Sequence, residues 1–112
     1  MTTRAETLTE LQAWLDGERT PEAIWQWALA QPRGQFEDGL VQDVVDILVD
    51  LPHDLILEED AEVMLYGLNN PPDEADLAQN LLWNHMDGID SNARRTSLAD
   101  HPFYGPFCNP EG

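Results

Sequence analysis

The sequence predicts an all-α protein: a compact antiparallel bundle of four to five helices, then an irregular proline- and aromatic-rich segment over 92–112, all within one domain spanning 1–112. Three observations lead there. Apolar residues recur every three or four positions in successive stretches. Capping or helix-breaking residues bound each stretch. The joining turns are short, which favours neighbouring helices that run back along one another.

The first helix is expected over 5–16, where Leu8, Leu11 and Leu15 form a stripe bordered by Trp14 and Gly17 stops the turn. Thr20-Pro21 restarts a helix over about 21–31, with the threonine as N-cap and the proline at the first helical position. Trp25 and Trp27 on that helix lie about 200° apart at 3.6 residues per turn. Both are buried only if the helix is covered on two sides. A third helix over about 38–50 has Leu40, Val41, Val44, Ile47 and Leu48 on one side and Asp43, Asp46 and Asp50 on the other, before Pro52 interrupts. Ala61, Met64, Leu65 and Leu68 mark the fourth, while residues 54–57 fit helix or strand. Asp73 opens the fifth, with Leu77, Ala78, Leu81, Leu82 and Met86 predicted inward and Gly88 just past the end. A short helix near 92–99 follows. The prolines and glycines of 102–110 argue against regular structure there, yet Phe103, Tyr104 and Phe107 predict that the segment packs onto the helices.

Charge is the outlying property. The chain has 22 acidic residues against 5 basic ones, all arginine, for a formal charge of −17. Between Gly34 and Ala93 there are 15 acidic residues and no lysine or arginine. Nucleic acid and anionic membranes are therefore expected to be repelled, and a basic protein is the natural partner. No apolar run approaches the roughly 20 residues of a membrane helix. The opening residues lack the apolar stretch of a signal peptide, and Cys108 is the only cysteine, so a cytoplasmic setting is expected.

Recognisable active-site chemistry is sparse. Asp50 and His53 have the acid-x-x-His spacing of a metal-binding helix, but Pro52 lies inside the pair. His85 falls beside core positions and reads as a core-edge histidine bonded to a neighbour. Cys108 and His101 share a proline-rich segment without the rigid frame a catalytic dyad requires. In "LEEDAE" adjacent carboxylates point in different directions, and "DGIDSN" lacks the alternating ligands of a calcium loop. The expectation is no enzyme, no metal and no cofactor.

The acidic ladder carries the functional reading. Asp43, Asp46 and Asp50 stack at gaps of three and four, and Asp54, Glu58 and Glu62 extend the row if helical register resumes after Pro52. Like charges so spaced each cost a helix a few tenths of a kcal/mol. Ordinary surfaces intersperse both signs, whereas a single-sign field speeds docking of an oppositely charged protein. Tyr66, four residues after Glu62 and away from the apolar stripe, is the expected aromatic anchor. Arg94 and Arg95 are placed to bond back to the acids.

The stretch "LTELQAWLDGERTPEAIWQWALAQ", residues 8–31, resembles the first helical hairpin of small acidic bacterial immunity-type proteins, the helical colicin-immunity kind among them. The shared features are the leucine-aromatic helix, the turn at Gly17-Glu18, the threonine-capped second helix and Trp27-Ala28. The resemblance implies a protein that neutralises a basic toxin by covering it with carboxylates. The expected function is thus a non-enzymatic acidic module that binds a basic protein, in its most specific form a toxin. The alternative is a structural domain whose acidity serves solubility or a salt-rich host.

Overall fold

A computed structural model describes residues 2–70 and 72–108. The described residues are mostly helical and no strand forms among them, so the all-α expectation holds. Helix α1 is Arg4–Leu15, α2 Pro21–Leu29, α3 Gly39–Val49, α4 Glu58–Asn69, α5 Ala75–Asp87, α6 Ser91–Leu98 and α7 Gly105–Cys108; a 3₁₀ turn at Pro72–Glu74 leads into α5. Helix α4 packs on α1 and α5, and α3 packs on α2 and α5.

Local chemistry sets most helix starts. Side-chain oxygens of Thr3, Thr20, Asp38 and Asp90 accept N–H bonds from the first turns of α1, α2, α3 and α6. Gly17 leaves α1 with a φ of 80°, a conformation glycine adopts without a Cβ penalty. Arg4 reaches across the sequence: it pairs with Asp38 at 2.9 Å and donates to the carbonyls of Leu68 and Asn70 at the end of α4. A cation there meets carbonyls that have no partner within their own helix.

The core gathers Leu11 and Trp14 of α1, Ile24 of α2, Leu40, Val44 and Leu48 of α3, Met64 and Leu68 of α4, and Leu82 of α5, all at most 1% exposed. Trp14 is thus central to the stripe it was expected to border. Trp25 and Trp27 are both half-buried against the core, and Trp25 is covered from a second side by Phe103 and Phe107 while its indole N–H donates to the Val49 carbonyl at 2.7 Å.

Three expectations are corrected. Residues 54–57 are neither helix nor strand: a turn follows α3, Leu55 takes a left-handed φ of 55°, and Leu55 and Ile56 are both buried. Leu77 and Leu81 of α5 face outward, 56% and 43% exposed. The close approach of Gly67 and Ala78, where a Cβ on the glycine would lie 3.4 Å from that of the alanine, turns Ala78 and Leu82 inward instead. Finally, one helical turn does form within 102–110. Pro106 lies in the first turn of α7, where a missing N–H costs nothing. Gly105 lets the backbone approach so closely that a Cβ would lie 2.8 Å from the Ala99 carbonyl oxygen. The aromatic residues of this segment pack onto the helices, as expected: Tyr104 is buried, Phe103 lies against the core, and Phe107 packs on Trp25 and His53.

Candidate interaction surface

The exposed side of α3 follows from its apolar pattern: with Leu40, Val44, Ile47 and Leu48 inside, positions 43, 46 and 50 turn outward. The three aspartates nonetheless have different roles. Asp43 is half-buried and accepts hydrogen bonds from Gln79 Nε2 at 2.8 Å and Trp83 Nε1 at 3.2 Å. It therefore pins α5 to α3. Asp46 and Asp50 are exposed, and no ion pair engages either among the described residues.

Asp46 and Asp50 stand on a ridge between two clefts. The larger cleft, about 470 Å³, is lined on its apolar side by Ile47, Ile56, Trp83, Met86 and Ile89. Asp54, His53 and Arg95 complete its rim. The smaller, about 360 Å³, lies on the α2 side over Val45, Val49, Leu29 and Phe36, with Arg33 at its edge. Both clefts are lined by Asp46 and Asp50. Partial burial raises the pKa of the Asp54 carboxyl, and the Asp50 charge adds to the rise while His53 opposes it. The rim thus carries carboxylates close enough to repel one another.

The remaining ladder residues lie elsewhere. The turn after α3 and the left-handed Leu55 break the register, so α4 begins afresh at Glu58. Glu58 lines a separate depression beside Trp14, Pro21, His101 and Tyr104. It shares the first turn of α4 with Glu59 and Asp60, where carboxylates meet the positive end of the helix dipole. Glu62 is exposed on α4, and Tyr66 is 61% exposed on the same helix. The structure therefore brings Asp46, Asp50 and Asp54 together, with Asp43 reaching the same cleft through Trp83, and leaves Glu58, Glu62 and Tyr66 outside it.

The sequence reading missed Asp60, a carboxylate with no exposed surface. Its oxygens accept from Arg94 at 2.5 and 3.1 Å, from His85 Nε2 at 2.6 Å and from the Leu57 N–H at 2.8 Å. Because an ionised carboxylate only accepts, His85 carries its proton on Nε2. Arg94 also pairs with Glu59 at 2.7 Å and donates to the Leu55 carbonyl at 3.0 Å. His85 is the core-edge histidine the sequence predicted. Burial pushes the Asp60 carboxyl up, but the bonds from Arg94, Leu57 and His85 and the Arg94 charge outweigh it and hold its pKa below the usual value. The signal was present in the spacing: Asp60, Met64 and Leu68 lie four apart on the buried side of α4.

His101 Nδ1 accepts the N–H groups of Phe103 and Tyr104, at 3.0 and 3.2 Å, and so shapes the turn before α7. His53 packs edge-on against Phe107, with ring centres 5.0 Å apart. Comparison with protein-family models, curated proteins and solved structures found no match to this chain.

Proposed function

We propose that this chain is a non-enzymatic binding module that docks a basic protein across the α3 ridge. One observation carries the reading: Asp46 and Asp50 are exposed, unpaired among the described residues, and line two clefts in which apolar side chains stand beside charged ones. Carboxylates on such a ridge steer a cationic surface into place, and the clefts accept the side chains that then hold it. In its most specific form the module is an immunity-type inhibitor. It covers the nucleic-acid- or tRNA-binding cleft of a toxin, with carboxylates standing where phosphates would lie. The helices, as a compact antiparallel bundle, supply a rigid support for the ridge.

The test begins with a photo-cross-linker at position 42, beside the ridge, to capture the partner in its host for identification by mass spectrometry. Association kinetics then compare the native chain with the double variant Asp46→Lys/Asp50→Lys. Losing a steering field should slow association by roughly 10- to 1,000-fold while circular dichroism stays unchanged. An unchanged association rate refutes the assignment. Asp43 is a poor choice for reversal, because its loss would also release Gln79 and Trp83.

The absence of lysine and the spread of acids over the whole chain favour a second reading, a domain acidic only through adaptation to salt. The two readings separate in a salt titration of stability. For a binding module we expect near-full stability by about 0.15 M salt, where the screening length has fallen to about 8 Å. A thermal midpoint that climbs steeply into molar salt would favour the second reading.

A further inference from the structure

A second surface lies away from the α3 clefts. Helices α4 and α5 touch at Gly67–Ala78 and again at Asp60–His85. Tyr66 and Leu77 each sit one residue from the first of these contacts, and Leu81 follows Leu77 by one helical turn. All three are exposed, at 61%, 56% and 43%. On α5, Gln79, Trp83 and Met86 serve the α3 side, so Leu77 and Leu81 belong to a different stripe. Glu62 of α4, Asp76 of α5 and Asp73 of the turn before α5 are exposed carboxylates, and no lysine or arginine occurs between Arg33 and Arg94.

We propose that the Tyr66–Leu77–Leu81 face docks a basic amphipathic helix of another protein, its apolar stripe on the leucines and its lysines or arginines against these carboxylates. Charge selects this occupant. A second copy of the chain would bring another −17 molecule and the same carboxylates into contact, and an anionic membrane would be repelled as well. A helix with i, i+3, i+4 apolar anchors matches two leucines one turn apart beside an aromatic ring. The proposal shares with the α3 reading only the premise of a basic partner, and the two surfaces can fail separately.

The probe is a synthetic leucine-lysine amphipathic helix of about 14 residues, roughly four turns. Two control peptides accompany it: a scrambled version without one apolar stripe, and a leucine-glutamate version. Amide shift mapping at low ionic strength should place the leucine-lysine helix at Tyr66, Leu77 and Leu81. Leu77→Ser/Leu81→Ser, and separately Tyr66→Ala, should weaken it at least tenfold. Asp46→Lys/Asp50→Lys should leave the shifts at Leu77 and Leu81 in place. Equal affinity for the scrambled peptide would reduce the contact to general charge attraction and overturn the proposal. Shifts confined to the α3 clefts would overturn it while sparing the α3 reading. A concentration-dependent dimer that Leu77→Ser/Leu81→Ser abolishes would assign the face to self-association instead.

Discussion

Arg94→Ala is expected to destabilise the fold by about 3–5 kcal/mol, the usual cost of leaving one partner of a buried ion pair alone. The guanidinium binds both oxygens of a carboxylate that has no contact with water, and a further bond from it holds the Leu55 carbonyl in the left-handed turn. With Arg94 gone, Asp60 keeps only His85 and the Leu57 N–H. Domains of this kind hold roughly 5–15 kcal/mol in total, so the loss is a large fraction of stability. Arg94→Lys should rescue little, because a compact ammonium cannot span two carboxylate oxygens and a carbonyl with the same geometry. Urea unfolding of the three proteins measures this, and a loss below about 1 kcal/mol for Arg94→Ala would show that water reaches the site and replaces the arginine.

The same group gives the stability a signed pH dependence. The Asp60 carboxyl is more acidic in the folded chain than its ordinary value of about 3.9, so the unfolded chain binds the proton more readily. Its contribution is complete above that ordinary value and declines as pH falls toward the lower folded value. Relief of repulsion among the other acids acts in the opposite sense on acidification. The comparison with Asp60→Asn isolates the contribution: the stability gap between native and variant should narrow as acid is added through that window.

Features with local causes were legible in the sequence. Thr20-Pro21 marks the start of α2 because cap and proline act within one turn, and the apolar spacing of α3 finds its buried side. The outward turn of Leu77 and Leu81 was not legible. Their spacing is as good as that of Ala78 and Leu82, and a close approach to Gly67 on another helix decides between them. The acidic ladder shows both outcomes. Spacing alone puts Asp46 and Asp50 outside, but it does not show that Asp43 is bound by Gln79 and Trp83, 36 and 40 residues away. Spacing puts Asp60 on the buried stripe of α4 but does not reveal the partner that lets a carboxylate stay there, since a distant group must supply the charge. Arg94 lies 34 residues further along the chain.

Tyr104→Ala should cost about 3–5 kcal/mol, the range for removing a large buried aromatic side chain. The ring is 2% exposed and packs edge-on against His101 and Phe103, with centres 4.9 and 5.2 Å apart. Its hydroxyl donates to the Ile56 carbonyl, just after the left-handed Leu55. Burial raises the phenol pKa, the Asp60 and Glu58 carboxylates raise it further, and Arg94 opposes them without reversing the shift, so the donor stays protonated. Tyr104→Phe retains the ring and removes only the donor, leaving a buried carbonyl unpaired at about 1–3 kcal/mol. Amide exchange should accelerate first around residues 55–57 in the phenylalanine variant, because the same turn is held from its other side by Arg94. If Tyr104→Phe matched Tyr104→Ala, the hydroxyl bond rather than ring packing would hold the final segment. If it matched the native protein, the Ile56 carbonyl would have a ready substitute in water, and the aromatic contacts alone would fasten α7 to the helices.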